Sequence, residues 1–176
     1  MTGLRDILNE EIIDLNLKAT TKDEVLHELA GHLKTAGYID DVESFVKDIY
    51  VREEEGITGM GNHIAIPHGK SSSVTKIGIA IGRTKNEIEW ESYDGLPVNL
   101  IFLFCVSDDS DFAKNHMMLL AELAGKLGND ARVEKLQKVE TKEELLEVLL
   151  AEDAGVAENE VADAEEFDES LISFDF

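Results

Sequence analysis

Apolar residues recur at helical spacing in parts of this chain and run almost unbroken in others, and the alternation between the two sets the fold class. In TTKDEVLHELAGHLKTAGY, residues 20–38, the side chains of Val25, Leu26, Leu29, Ala30 and Leu33 form one stripe. Thr21 and Glu24 stand in capping-box spacing ahead of it, and Gly37 suits the exit. Asp40 and Glu43 repeat the start signal for a second helix, with Phe45, Val46, Ile49 and Tyr50 as its apolar face and Arg52 near its end. Strands are predicted at IAI (64–66), KIGIAIG (76–82), IEW (88–90) and VNLIFLFCV (98–106). The last is nearly all apolar, as a central strand covered on both faces would be. Helical spacing returns over 112–128 and again over 130–138, and Thr141 with Glu144 caps a final helix through Leu150. Interleaved elements of this kind predict an α/β fold, a mixed β-sheet flanked by helices in a single domain. The pattern leaves strand order open.

Charge narrows the function classes. The 176 residues include 38 acidic and 16 basic ones, for a net charge of −22. That disfavours nucleic acid, whose phosphates need Lys and Arg to displace counterions, and equally an anionic membrane surface. The excess is uneven: residues 152–176 hold ten acidic residues and no basic one. They read as an acidic tail or linker behind a domain over 1–151, ending in the apolar SLISFDF. The N-terminus lacks the apolar core of a signal peptide, and no run is long enough to span a membrane. A cytoplasmic protein without direct membrane insertion is expected. The single cysteine excludes a disulfide within the chain, and Cys105, inside IFLFCV, reads as a small buried apolar residue.

The chemistry concentrates in GITGMGNHIAIPHGK, residues 56–70. Pro67 removes a backbone donor and should end the strand before it, so His68 is expected on a stiff connection at a strand mouth, with Gly69 leaving room for a ligand or another backbone. A neutral imidazole offers a lone pair that attacks phosphorus or binds a metal. The plain alternative is a turn histidine. Gly56, Gly59 and Gly61 let backbone amides face an anion, or simply make a turn; no Gly-Lys-Ser/Thr follows, so a nucleotide loop is unsupported. Arg52 can brace two phosphate oxygens, or pair with Glu53, Glu54 or Glu55 at a helix end. His116 shares a helix face with apolar residues at 119, 120, 123 and 127, and either packs there or points at the pocket of His68. His63, His68 and His116 make a weak zinc set, since residues five apart in an extended segment face opposite ways. His27 and His32 look like surface residues, and Ser71–Ser73 like a polar turn.

The stretch from Glu53 to Gly69, EEEGITGMGNHIAIPHG, resembles the active-site signature of the fructose- and mannitol-type enzyme IIA domains of the bacterial phosphoenolpyruvate-dependent sugar phosphotransferase system. Glu53, Met60, Gly61, Ile64, Ala65, Ile66, Pro67, His68 and Gly69 fill its specified positions. The likeness extends over roughly residues 3–150 and includes LNLKATTKDEVLHELA, DGLPVNLIFLFCV and NHMMLLAELA. It implies that His68 accepts a phosphoryl group from the histidine-containing phosphocarrier protein and passes it to a cysteine of a IIB domain during sugar uptake, of the fructose type. By position Arg52 matches the family's phosphate-stabilising arginine and His116 its second pocket histidine. No cofactor, nucleotide or metal is implied, because the donor arrives phosphorylated. An alternative within the same fold is a regulatory, nitrogen-related module that signals by its phosphorylation state. A metal-dependent hydrolase built on the histidines is a third reading.

Overall fold

The computed structural model describes residues 3–151, and of residues 110–116 the backbone alone. The described chain falls into two compact units, Ile7–Asp109 and the residues on either side of it.

The first unit holds the sheet. Strands β1 (Ile13–Leu17), β2 (Gly59–Gly61), β3 (Ile64–Ala65), β4 (His68–Ser71), β5 (Gly78–Ile88) and β6 (Val98–Ser107) join in the order β1-β5-β6-β3-β2, with β4 also paired to β6. β6 is the centre, antiparallel to β5 and parallel to β3 and β4. Its residues from Val98 to Val106 are buried except Asn99, which is what the near-continuous apolar run predicts. Helices α1 (Lys22–Thr35) and α2 (Val42–Glu55) pack on one face. Thr21 caps α1 by accepting from the Glu24 amide at 3.2 Å, and Gly37 leaves it at a φ of 85°. The cap of α2 is Asp41, accepting from the Ser44 amide at 3.1 Å, one residue beyond the expected Asp40. The amide of Asp40 instead donates to the Ser73 carbonyl.

Small residues decide how closely the helices approach. Along β5 the sequence GIAIG alternates Gly78, Ala80 and Gly82 with Ile79 and Ile81. The small set faces α1 and α2: a Cβ at Gly82 would lie 2.3 Å from Leu17 and 3.0 Å from Leu29, and one at Gly78 would lie 2.6 Å from the Tyr38 ring. The isoleucines fill the other face.

Three strand expectations shift. β1 in the opening stretch was not anticipated, although IDLNL alternates with its burial. Residues 78–82 and the start of 88–90 belong to one long strand, β5, which begins two residues later than expected, and Trp90 lies beyond its end. The glycine loop contributes β2, joined to β3 by a two-residue hairpin turn. Asn62 and His63 there have φ of 55° and 66°, the pair of positive angles a type I′ turn needs.

The second unit holds α3 (Ser110–Leu127), α4 (Asp130–Lys138) and α5 (Lys142–Leu150), close to the expected spans, with Asn129 and Thr141 as the caps of α4 and α5. Arg132 binds the three together. It is buried, and its guanidinium donates to the carbonyls of Lys126 (3.2 Å), Val148 (3.1 Å) and Ala151. No described helix is long and apolar enough to cross a membrane.

Candidate phosphoryl-transfer site

Pro67 does not end the strand. It interrupts it, and pairing to β6 resumes without a slip. Ile64 lies opposite Leu100, Ala65 opposite Ile101 and His68 opposite Phe104, a constant offset of 36 that holds through Lys70 opposite Val106. Proline has no amide to give, but its carbonyl still accepts from the Phe104 amide at 2.9 Å, so the ladder continues through the break. His68 is therefore the first residue of β4, not a residue displayed beyond a strand end. It is 6% exposed, more enclosed than the sequence suggests, because β4 carries on beside β6. Its ring stacks on Phe104 with centroids 6.0 Å apart and planes 24° apart.

Gly69 is also accounted for differently. A Cβ there would lie 2.2 Å from the Phe45 ring of α2, so the room that glycine leaves is filled by that ring. Successive strand residues face opposite ways, so His68 projects to the side of the sheet away from Phe45.

Arg52 lies in the last turn of α2, in helical phase with Phe45 and Ile49 and about 10 Å along the axis from Phe45. It is 7% exposed, and its Nη1 donates to the Gly56 carbonyl at 3.3 Å. α2 packs on β4, so Arg52 and His68 are carried by adjacent elements. The pairing considered for Arg52 with its neighbouring glutamates is not what holds Glu53: that carboxylate takes Lys22 Nζ at 2.6 Å and the Thr58 hydroxyl at 2.7 Å. His116 falls within 110–116, whose side chains are outside the described residues, so its place relative to His68 is not part of this geometry.

Two amides of the glycine stretch, those of Gly59 and Asn62, are used within the fold. Gly59 N donates to the Glu91 carbonyl at 3.1 Å, Asn62 N to Asp94 Oδ2 at 3.0 Å, and the Gly59 carbonyl accepts from Tyr93. A Cβ at Gly59 would come within 2.4 Å of the Glu91 carbonyl oxygen, which explains that glycine as a close backbone approach. Asp94 holds the turn by accepting from Leu96 N, Ser92 Oγ and Asn62 N, and these bonds lower its pKa.

The other histidines are engaged elsewhere. His63 Nδ1 donates to the Pro97 carbonyl at 2.9 Å, away from any shared ligand set with His68. His27 bonds the Asp23 carbonyl and Glu43, and His32 Nε2 meets Asp14 Oδ2 at 2.9 Å; both are half-buried rather than fully on the surface. Among the described residues, Asp14, Glu28 and His32 are the set whose ligand atoms converge, and they lie on β1 and α1, apart from the signature stretch. Of the polar turn expected at Ser71–Ser73, Ser72 and Ser73 form a turn behind β4, and Ser71 and Ser73 are buried. Ser71 Oγ donates to Asp48 of α2 at 2.5 Å and ties β4 to that helix. Burial pushes the Cys105 thiol up, which keeps it protonated and inert as the sequence suggests.

The chain belongs to the family described as Phosphoenolpyruvate-dependent sugar phosphotransferase system, EIIA 2, whose model matches residues 6–152. Members of this family are components of a phosphotransferase system. The chain is 30% identical over 149 residues to the PTS system fructose-specific EIIA component of Haloferax volcanii, covering 85% of this chain and 96% of that one. Among solved structures it resembles the nitrogen regulatory protein IIA-Ntr of Neisseria meningitidis, with TM-score 0.74 and 29% identity over 82% of this chain and 97% of that one. It also resembles IIA mannitol of Escherichia coli, with TM-score 0.66 and 26% identity over 80% of this chain and 97% of that one. The α/β single-domain fold with its mixed sheet and flanking helices is the fold of these neighbours. Some curated relatives are much longer, and the chain spans about a quarter of their length.

Proposed function

We propose that the protein is a phosphocarrier whose His68 takes a phosphoryl group from the phosphorylated histidine-containing phosphocarrier protein and passes it to a cysteine of a IIB domain or subunit. The observation that carries this is the fixed register of β4: the Pro67 break leaves His68 locked opposite Phe104, on the strand against which the Arg52-bearing helix packs. In the first step a lone pair on a His68 ring nitrogen attacks phosphorus, the new N–P bond forms, and the donor's N–P bond breaks with its electron pair returning to the donor imidazole. In the second step the IIB thiolate attacks, S–P forms, and the bond to His68 breaks. Such transfer is governed by positioning and charge stabilisation. By their positions in the family pattern, Arg52 supplies the positive charge for the phosphoryl oxygens and His116 serves as the second pocket histidine. The enclosure of His68 limits water at the phosphorylated ring, which suits a group that must survive until the acceptor binds. No cofactor or metal enters this scheme. The domain is taken as residues 1–151, with 152–176 as an acidic tail or linker, acting in the cytoplasm.

Fructose is the proposed sugar class, supported by the Haloferax volcanii relative. A second reading, a regulatory module that signals by its phosphorylation state, is supported by the likeness to the Neisseria meningitidis IIA-Ntr structure. Labelling by the phosphorylated carrier tests the common step. The wild type should be labelled, His68→Ala should take up no label, and Arg52→Ala should fold yet accept or hold phosphate poorly. Full labelling of His68→Ala refutes the assignment. Transfer from the labelled protein to a panel of IIB acceptors then separates the two readings, since a regulator should donate to none of them.

A further inference from the structure

Between Arg52 and His68 the chain makes a loop and a hairpin, and one buried hydroxyl ties these parts together. Thr58 is 3% exposed. Its Oγ1 donates to Glu53 Oε2 at 2.7 Å and accepts from Trp90 Nε1 at 3.2 Å, which uses the hydroxyl in both directions. Glu53 is the residue after Arg52, and its other oxygen takes Lys22 Nζ of α1 at 2.6 Å. That ammonium also lies 4.9 Å over the Trp90 ring and 3.3 Å from Glu91 Oε1, so lysine, carboxylate, hydroxyl and indole close into one network, buried at Thr58 and Trp90 and partly buried at Lys22 and Glu53. From the same residue the Thr58 carbonyl accepts from Ile66 N at 2.9 Å, two residues before His68. Thr58 therefore grips the end of α2 through its side chain and the entry to β4 through its backbone.

The geometry points to Thr58 as a positioning residue for phosphoryl transfer, holding the Arg52 end of α2 and the His68 strand at one fixed separation. Glu53, the first specified position of the signature, then acts as the fixed anchor for this hydroxyl, oriented by Lys22, and not as a ligand for phosphate. The inference rests on the phosphocarrier reading above. A misplacement of a reacting group by about 1 Å can cost on the order of 100-fold in rate, so a small relaxation here is readable.

The test is Thr58→Val, which keeps the shape and removes both side-chain bonds, beside Thr58→Ser, which keeps the hydroxyl. Thr58→Cys, a weak donor of similar size, stands in if the valine variant does not fold. The rate constant for phosphoryl acceptance at saturating phosphorylated carrier should fall roughly 10- to 100-fold in Thr58→Val with the half-saturating carrier concentration unchanged, and Thr58→Ser should restore it. In an Arg52→Ala background the same change should slow acceptance little further, because the group it positions is gone. A wild-type rate for Thr58→Val, or an undiminished effect in the Arg52→Ala background, overturns the inference. Absence of labelling in the wild type itself overturns the phosphocarrier reading instead, so the two failures are told apart.

Discussion

Two adjacent rows of residues cross the centre of the sheet and are built on opposite plans. One is Gly69, Cys105 and Gly78, side by side on β4, β6 and β5. Every member is small, and the Phe45 and Tyr38 rings lie where the missing side chains of the two glycines would be. The next row, one residue away and on the other face, is His68, Phe104 and Ile79, all large. The first row lets the helix layer come close; the second presents an imidazole against a phenyl ring. The Pro-His-Gly tripeptide thus serves both faces of one strand, with the histidine belonging to one and the glycine to the other.

The sharpest attack on the second row is Phe104→Ala. Phe104 is 1% exposed and stacks on His68, so its loss should cost about 4 kcal/mol in denaturant unfolding. A cost below about 1 kcal/mol would mean the row is poorly packed. Gly69→Ala attacks the first row. The added methyl meets a fully buried ring and should cost about 3 kcal/mol while leaving His68 on its own face. A neutral result would show that Phe45 moves aside freely. The smallest effect concerns the turn that aims β3 and β4. Asp94 has a lowered pKa in the folded protein, from its bonds to Leu96 N, Ser92 and Asn62 N. Its stabilising effect is complete above its ordinary value of about 3.9 and is lost as pH falls through the lower, folded value. Between pH 5 and 3 the melting temperature of wild type should therefore drop slightly more than that of Asp94→Asn. Parallel curves would show that the carboxylate does nothing for the turn.

Much of this was legible in the residues, for reasons that differ from place to place. Helix starts were, because a cap is a local bond: Thr21 and Thr141 were found in place, and the one displaced cap moved between neighbouring aspartates. β6 was legible because burial on both faces leaves an unbroken apolar run. β2 was not, since Gly59, Met60 and Gly61 carry no strand preference and are held by Glu91, Tyr93 and Asp94, far along the chain. At the candidate site, His68 stands out by type and setting, and Arg52 by its place in the family pattern. The role of Gly69 does not, because it is set by Phe45 on another element, and neither does that of Thr58, whose partners Glu53 and Trp90 meet only in the folded protein. A threonine followed by glycine gives no hint of a buried hydroxyl. The nearest signal is Glu53 itself, at a position where the family pattern asks for an acidic or amide residue without evident chemistry.

The uninterrupted offset between β6 and its two parallel neighbours makes Ile66 and Pro67 a spacer governed by parity. Ile66 is buried and gives its amide to Thr58, Pro67 gives its carbonyl to Phe104, and the two residues together keep an even count between the two short strands. A single insertion or deletion would exchange inside for outside along everything downstream, turning the imidazole toward Phe45 and bringing a neighbour's side chain into its place. The length of this segment is therefore constrained separately from the identity of its residues.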